Sequence, residues 1–272
     1  MEHEVSPGIS VLPLQTPTLP PATHTNCYFV GTSRFFIVEP ATYDADERTK
    51  LFSAIDRWIS NGRSPTAVVL THHHGDHVGS AQAVRDRYEI PVIAHENTRA
   101  LLEGFVSVDE LVGEGSTLEV DGRAFEVLFT PGHAPGHITL RDRDIMIVGD
   151  MVAGVGTILI DPDEGDMARY IDELRRLAAL NPRILLPSHG PAIDPGTPKL
   201  LAYVAHRLMR EAKVLDALKR RGESTAGDLL ADAYDDTPAS VYPIAERSCL
   251  AHLLKLEREG RAARSGERFF AT

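Results

Sequence analysis

The sequence predicts an α/β protein followed by a small domain of helices and a hairpin. Short apolar runs alternate with helical patterns as far as about residue 95, and from Thr117 the pattern becomes rich in β-strands. Several apolar runs are followed directly by residues that can bind metals, and after Pro198 the pattern turns helical. These observations indicate two sheets covered by helices and then a separate domain. The predicted domains are 1–198 and 199–272.

The elements near the amino terminus are predicted from apolar patterns and turn residues. Residues 9–38 form three short strands, and a proline-rich loop at 16–21 could border a site. Asp44 can cap a helix that runs to about Asn61, because apolar residues recur along one face of that stretch. Its tryptophan, Trp58, lies on the apolar face and is predicted to be part of the core.

The histidine-rich loop at 71–79 organises the rest of the chain. It follows an apolar run that reads as a buried strand and precedes a helical pattern, and α/β sheets place their sites at such strand ends. In an extended stretch His72 and His74 point the same way, and Gly75 permits a change of direction that aims a second pair nearby. Nitrogen and carboxylate ligands suit zinc, iron or manganese. The four candidate ligands are His72, His74, Asp76 and His77.

Three later motifs each place a possible ligand after an apolar run. They are Thr130–His137, which contains His133, Val148–Asp150, and Leu186–Pro191, which contains His189. Together with the histidine-rich loop they resemble the metallo-β-lactamase superfamily, whose pattern is H-x-H-x-D-H, then G-H, a bridging Asp and a last His. The resemblance covers about residues 8–195. It implies a four-layer αββα sandwich with all ligands at one edge.

The resemblance also implies two divalent metal ions, zinc in the first place, with iron or manganese as alternatives. Three residues hold one ion, three hold the other, and one carboxylate bridges them. In that order they are His72, His74 and His133; Asp76, His77 and His189; and Asp150. A metal-bridging hydroxide is then the nucleophile, and Asp76 carries its proton to the leaving group. No separate organic cofactor is expected.

Three further residues stand outside this ligand pattern. Glu39 occupies a position where the family usually has an Asp that supports the metal loop, so the difference concerns support and not metal binding. His95 follows a strand but matches no family position, and we predict a structural or surface role. His137, four residues after His133, is predicted to support a ligand or to face the substrate.

The carboxyl-terminal part has the element order of a winged helix. It reads as a long helix at 200–221, a short helix capped by Ser224, a helix from Pro243 to about Glu259, and a hairpin. From position 200 onward the chain has a net charge of about +1, against about -12 for the rest. Basic residues of the last helix and hairpin could face phosphates, or form a solvated packing surface. They are Lys255, Arg258, Arg261, Arg264 and Arg268.

Composition limits the class of protein. With 43% hydrophobic and 25% charged residues, the chain has enough apolar residues for a globular core. No secretory signal is recognisable, and no apolar run approaches the ~18 residues of a membrane span. Two cysteines cannot make a disulfide framework, so a cytoplasmic location without membrane contact is expected. The net charge of -11 argues mildly against a polyanionic partner.

The tail and the ligand set together resemble the lactamase-like branch with a winged helix, which includes a single-strand endoribonuclease and acyl-carrier-protein thioesterases. A true β-lactamase is not expected, because the bridging position holds Asp150 and no signal peptide is recognisable. The preferred interpretation is an endonuclease acting on single-stranded RNA. The alternatives are a hydrolase of small thioesters, like glyoxalase II or those thioesterases, and a binding module on an inactive domain. The expected partner is single-stranded RNA or a small thioester.

Overall fold

The structure is a computed structural model that describes residues 2–272, so Met1, where the first predicted domain begins, lies outside the described residues. The described chain divides into two compact units. The first comprises residues up to Thr130 together with 135–157 and 181–196. The second comprises 131–134, 158–180 and 197–272. This division interleaves the two units along the chain. The predicted linear boundary after residue 198 stays a prediction.

The first unit contains a seven-stranded sheet whose spatial order is the order along the chain. Its strands are β1 (His3–Ser6), β2 (Ile9–Gln15), β3 (His24–Gly31), β4 (Arg34–Val38), β5 (Ser64–Val69), β6 (Val92–Ala94) and β7 (Glu110–Leu111). The first four are antiparallel and the remaining pairs are parallel. The three strands predicted within 9–38 are confirmed as β2 to β4, while β1 and β7 were not predicted.

Four helices accompany this sheet: α1 (Ala45–Ser60), α2 (Gly75–Val78), α3 (Ala81–Tyr88) and α4 (Glu96–Leu101). Asp44 caps α1 as predicted, since its side chain accepts hydrogen bonds from the backbone N–H groups of Asp46 and Glu47. The ring of Trp58 packs against Phe29 and Phe35 with centroids 5.2 and 4.8 Å away. The predicted core role of Trp58 is therefore confirmed.

The first unit also contains a five-stranded sheet, in the order β12-β11-β10-β9-β8. Its strands are β8 (Thr117–Val120), β9 (Arg123–Phe129), β10 (Ile138–Asp142), β11 (Ile145–Gly149) and β12 (Ile184–Pro187). Alternate apolar residues of both sheets form one buried core between them, among them Ile9, Tyr28, Val127, Ile147 and Leu186. This is how sheets with one apolar face each bury it.

Hydrogen bonds tie the two sheets together at the edge where the predicted ligands lie. The Asn26 side chain in β3 donates to the carbonyl of Pro187 at the end of β12, over 2.8 Å. The Tyr28 hydroxyl donates to the same carbonyl over 2.6 Å. Because β5, β11 and β12 all end at this edge, the loops that follow them meet there.

The second unit is built mainly from the tail. Its elements are α5 (Met167–Ala179), α6 (Gly196–Arg221), α7 (Leu230–Ala233), α8 (Tyr242–Arg258), β13 (Ala262–Ser265) and β14 (Arg268–Ala271), with α6 beginning at the junction. Charged pairs join the segment at 158–180 to α8: Arg247 binds Asp161, and the Arg258 guanidinium donates to Asp166 over 2.5 Å. These contacts explain why that segment clusters with the tail.

The predicted helix cap at Ser224 is wrong. Its backbone N–H and carbonyl both pair with Phe269, over 2.9 and 2.8 Å, so Ser224 extends the hairpin. Thr225 and Asp228 instead exchange hydrogen bonds at the start of the following 3-10 turn and helix. Among residues 2–272 no helix is both long enough and apolar enough to cross a membrane.

Candidate metal centre

Three loops of the first unit bring candidate ligands together at one edge. The loop after β5 carries His72 and His77, the loop after β11 carries Asp150, and the loop after β12 carries His189. Their exposed fractions are 0%, 1%, 6% and 5% respectively. A carboxylate such as that of Asp150 is almost never buried so fully unless it is paired or binds a metal.

Two imidazole nitrogens and four carboxylate oxygens, from four residues of these loops, lie close together. Nε2 of His77 lies 3.5 Å from Oδ1 of Asp76 and 3.7 Å from Oδ2 of Asp150. Nε2 of His189 lies 3.6 Å from Oδ2 of Asp76 and 3.5 Å from Oδ1 of Asp150. These separations exceed the ~2.7–3.2 Å of ordinary hydrogen bonds. They match the edge of about 3.4 Å between ligands that each lie about 2.0–2.1 Å from a tetrahedral zinc ion. The spacing therefore fits a divalent cation.

The electrostatic environment of His77 also favours a positive charge. Its ring is buried, and Nε2 has no hydrogen-bond partner within residues 2–272. Burial alone lowers the pKa of His77, but the carboxylates of Glu39, Asp76 and Asp150 outweigh it and raise the pKa to about 10. Burial likewise opposes protonation of His189, and Asp150 nevertheless raises its pKa. The site thus concentrates negative charge where a cation would bind.

Glu39 forms hydrogen bonds with residues of the loops that follow β5 and β12. Its carboxylate is fully buried and lies 3.0 Å from Nδ1 of His77, which leaves Nε2 of that ring directed at the other ligands. The Thr71 hydroxyl donates to the same oxygen, and the Ser188 hydroxyl donates to the second oxygen over 2.5 Å. Glu39 therefore supports both the loop of His77 and the loop of His189, as its position in the sequence suggested.

His72 and His74 converge as their spacing predicted. Nε2 of His72 lies 3.0 Å from Nδ1 of His74, and the other ring nitrogen of His72 contacts the Thr71 hydroxyl at 2.9 Å. His133 lies in the second unit, where its Nδ1 is 2.9 Å from the carbonyl of Leu159. That contact favours a lone pair on Nε2, as a ligand needs. The assignment of His133 to the same ion as His72 and His74 stays a prediction.

His137 supports Asp150. Its Nε2 accepts the backbone N–H of Asp150 over 3.1 Å, and its Nδ1 lies 2.8 Å from the Thr130 hydroxyl. Both ring nitrogens are thus engaged within the protein, and burial lowers the pKa of His137 to about 4. Gly149 permits this approach, because a Cβ there would lie 2.5 Å from Nε2 of His137. Of the two predicted roles, support of a ligand fits this position, whereas facing the substrate does not. The bridging role of Asp150 stays a prediction.

The surroundings of the site include the proline-rich loop and His95. Nδ1 of His189 lies 3.0 Å from the carbonyl of His24, and the Thr18 hydroxyl lies 3.4 Å from Nε2. The proline-rich loop therefore borders the site. His95 does not join the ligands: its Nδ1 caps α4, and its ring stacks on Phe129 with centroids 4.2 Å apart.

Sequence reasoning missed the hydroxyls of Thr71 and Ser188. Each immediately precedes a candidate ligand, His72 or His189, and each donates to Glu39. Their position beside a ligand histidine was the available signal. It is a weak signal, because hydroxyl residues are common at strand ends.

Comparisons with known proteins show the family of the chain. Residues 20–189 match the model of the metallo-beta-lactamase superfamily, and residues 225–269 match that of the beta-lactamase associated winged helix domain. A Beta-lactamase-like protein 2 homolog from Caenorhabditis elegans is 30% identical over 244 residues, which are 87% of this chain and 79% of the relative. A hydroxyacylglutathione hydrolase from Xylella fastidiosa is 38% identical over 122 residues, 44% of this chain and 45% of that protein.

Solved structures show the same architecture. The crystal structure of a beta-lactamase domain protein from Burkholderia ambifaria has a TM-score of 0.88 at 21% identity, with 100% of this chain and 93% of the other covered. The predicted fold class, with its terminal winged helix, is confirmed. The chain therefore belongs to the metallo-beta-lactamase superfamily, whose members are generally metal-dependent hydrolases.

Proposed function

We propose that the chain is a dinuclear metal-dependent hydrolase that acts on thioesters. The observation that carries the hydrolase is the set of four residues whose nitrogen and oxygen atoms lie 3.5 to 3.7 Å apart. This set includes Nε2 of His77, which has no hydrogen-bond partner within residues 2–272. Nitrogen and carboxylate donors suit zinc, and also iron or manganese. When bound, two such ions supply an activated water near neutral pH and stabilise developing negative charge.

The ligands divide between the two ions as the family resemblance implies. Asp76, His77 and His189 would hold one ion, and Asp150 would share its two oxygens between both. The remaining histidines, His72, His74 and His133, would hold the other. Support for the first group comes from the distances above, and support for the second from the convergence of His72 and His74.

Asp76 is the residue best placed to move a proton. Its side chain is 18% exposed, whereas that of Asp150 is 8% exposed, so Asp76 lies closer to an incoming substrate. Hydrolysis of a thioester forms a C–O bond from water and breaks the C–S bond. The water proton must then reach the departing sulfur, and a carboxylate at the rim can carry it.

The thioester is supported by one of the relatives. The name of the Xylella fastidiosa relative describes hydrolysis of an acyl-glutathione, which is a thioester. That relative is 38% identical to this chain over 122 residues. A thioester needs no phosphate-binding surface. The acidic balance of the chain, -11 overall, is therefore no obstacle to such a substrate.

Single-stranded RNA is the second candidate, favoured by the exposed arginines of the tail. Each of them is paired with a carboxylate: Arg261 with Glu211 at 2.7 Å, Arg264 with Glu257 at 3.0 Å, and Arg268 with Glu223 at 3.6 Å. The pairs of Arg264 and Arg268 are exposed, and each contributes at most about 1 kcal/mol, so a phosphate could displace those two carboxylates. Each carboxylate would nevertheless stay close and repel the phosphate. This pairing makes RNA the weaker candidate.

One assay tests both substrates. The metal-replete protein is offered an acyl thioester, single-stranded RNA, a lactone and a β-lactam in parallel, and the metal content of the same sample is measured. We expect close to two ions per chain and fastest turnover of the thioester. Cleavage of RNA without thioester hydrolysis would overturn the substrate, and absence of all hydrolysis with two ions bound would overturn the hydrolase.

A further inference from the structure

A cavity of about 540 Å³ lies in the first unit beside the loop that carries His189. Its volume falls in the range of small-molecule pockets, about 300–1,000 Å³. Most of its wall is aliphatic. The residues that make this part of the wall include Val5, Val11, Pro13, Pro21, Val155 and Ala192.

Two residues that line this cavity adjoin the metal centre. Gly190, which lines it, directly follows His189, and His24, which also lines it, holds the His189 ring through its carbonyl at 3.0 Å. The Asn26 side chain donates to the Gly190 carbonyl over 2.8 Å and fixes that wall in place. A substrate whose reacting carbon lies at the metal ligands could therefore extend past His24 into the cavity.

The chemistry of the wall selects an apolar occupant. None of the described residues that line the cavity is Lys, Arg, Asp or Glu, and its polar side chains are those of His3, Thr23, His24, Asn26 and Tyr28. The side-chain amide of Asn26 and the hydroxyl of Tyr28 already donate to backbone carbonyls. A polar ligand would lose its hydration without gaining new hydrogen bonds from these two groups. An alkyl chain would lose nothing of that kind and would be removed from water.

We propose that this cavity binds the apolar acyl chain of the thioester substrate. The proposal rests on the proposed thioester hydrolysis and adds the class of acyl group. Each methylene that leaves water should raise kcat/KM about three- to fourfold, until the cavity is full. A medium-length saturated acyl thioester should thus be a better substrate than an acetyl thioester with the same thiol.

The experiment uses acyl thioesters of one small thiol, from acetyl to dodecanoyl. In the parent protein kcat/KM should rise with chain length by at least a hundredfold in all. Ala192→Phe and Val155→Phe, which add bulk at exposed positions of the wall, should reduce that gain, measured as the ratio of dodecanoyl to acetyl kcat/KM, at least tenfold. The matched control is Ala124→Phe, an exposed position on β9 outside this cavity, which should preserve the gain. Metal content should be equal in all four proteins.

Two results would overturn the acyl site: no dependence on chain length in the parent, or full dependence in both cavity variants. If no thioester is hydrolysed at all, the proposed function fails, and the cavity is then tested by calorimetry with decanol. Binding by the parent that both cavity variants lose would support an alkyl-chain site. Absence of decanol binding would overturn it.

Discussion

The loops of the metal centre and the tail of the second unit differ in how closely their buried polar and charged groups are paired. At the centre, Nε2 of His77 finds no hydrogen-bond partner among the described residues, and carboxylate oxygens of Asp76 and Asp150 lie 3.5 and 3.7 Å away. In the tail, Lys255 lies 2.6 Å from Glu211, which also binds Arg261 at 2.7 Å. The metal centre therefore keeps an imidazole nitrogen unpaired where a cation would bind, whereas Lys255, Glu211 and Arg261 of the tail satisfy one another's charges.

This difference separates residues that serve a ligand from residues that serve the fold. Burying unpaired charge costs several kcal/mol of folding free energy. A site that contains such charge therefore needs the binding energy of a ligand to offset this cost. The Lys255–Glu211 pair is itself nearly buried, with side chains 8% and 5% exposed, and needs no ligand. Mutations in the two regions should accordingly affect different measurements.

The largest effect is expected at the metal centre. Asp150→Ala removes the carboxylate that lies near both His77 and His189, so turnover should fall at least a thousandfold and the metal content should drop. His95→Ala, the control, should keep activity within a few-fold. An Asp150→Ala protein that retains two ions and full turnover would break the assignment.

A change in the tail should alter stability instead of chemistry. Lys255→Met leaves Glu211 nearly buried beside Arg261 alone, and breaking such a pair costs about 3–5 kcal/mol. Urea denaturation should show this loss, while turnover at a temperature where both proteins are folded should be unchanged. Arg264→Met, at an exposed pair, should lose less than about 1 kcal/mol. Equal losses in the two variants would contradict the contrast between buried and exposed pairs.

Glu39 lies between these two extremes, because it touches ligands without being assigned as one. Glu39→Gln should lower metal affinity about 10- to 100-fold, since the amide no longer holds the Nδ1 proton of His77 as strongly. Competition with a chelator measures this directly. Glu39→Asp keeps the charge but is one methylene shorter, and it should restore part of the affinity. If the Gln variant binds metal as tightly as the parent, Glu39 has no positioning role.

The sequence can indicate candidate ligand positions for a physical reason. A strand end followed by a polar loop is a local feature, and His72, Asp150 and His189 each follow their own strand. The contacts that support them are not local. Glu39 and Ser188 are 149 positions apart, and no pattern within either segment reports that their side chains meet.

The same limit explains what the sequence did not predict in the tail. Ser224 precedes a helical pattern, which is the usual position of a helix cap. Only its backbone hydrogen bonds with Phe269 show that it pairs with the hairpin. Arg261 and Glu211 are 50 positions apart, so the basic residues of the tail looked available for phosphates. Side-chain pairing across such separations depends on the packed structure.

The smallest effect is expected from changing Arg261, Arg264 and Arg268 together to Ala. Because each is paired with a carboxylate and none is a ligand, thioester turnover and metal content should stay within about twofold of the parent. RNA binding should be weak before the change and equally dependent on salt after it. A surface that contacts phosphates would behave differently, since each lost contact lowers the log–log salt dependence by about 0.7. Such a drop, with weaker RNA binding and intact thioester turnover, would make the tail a nucleic-acid surface and remove the contrast between the tail and the metal centre.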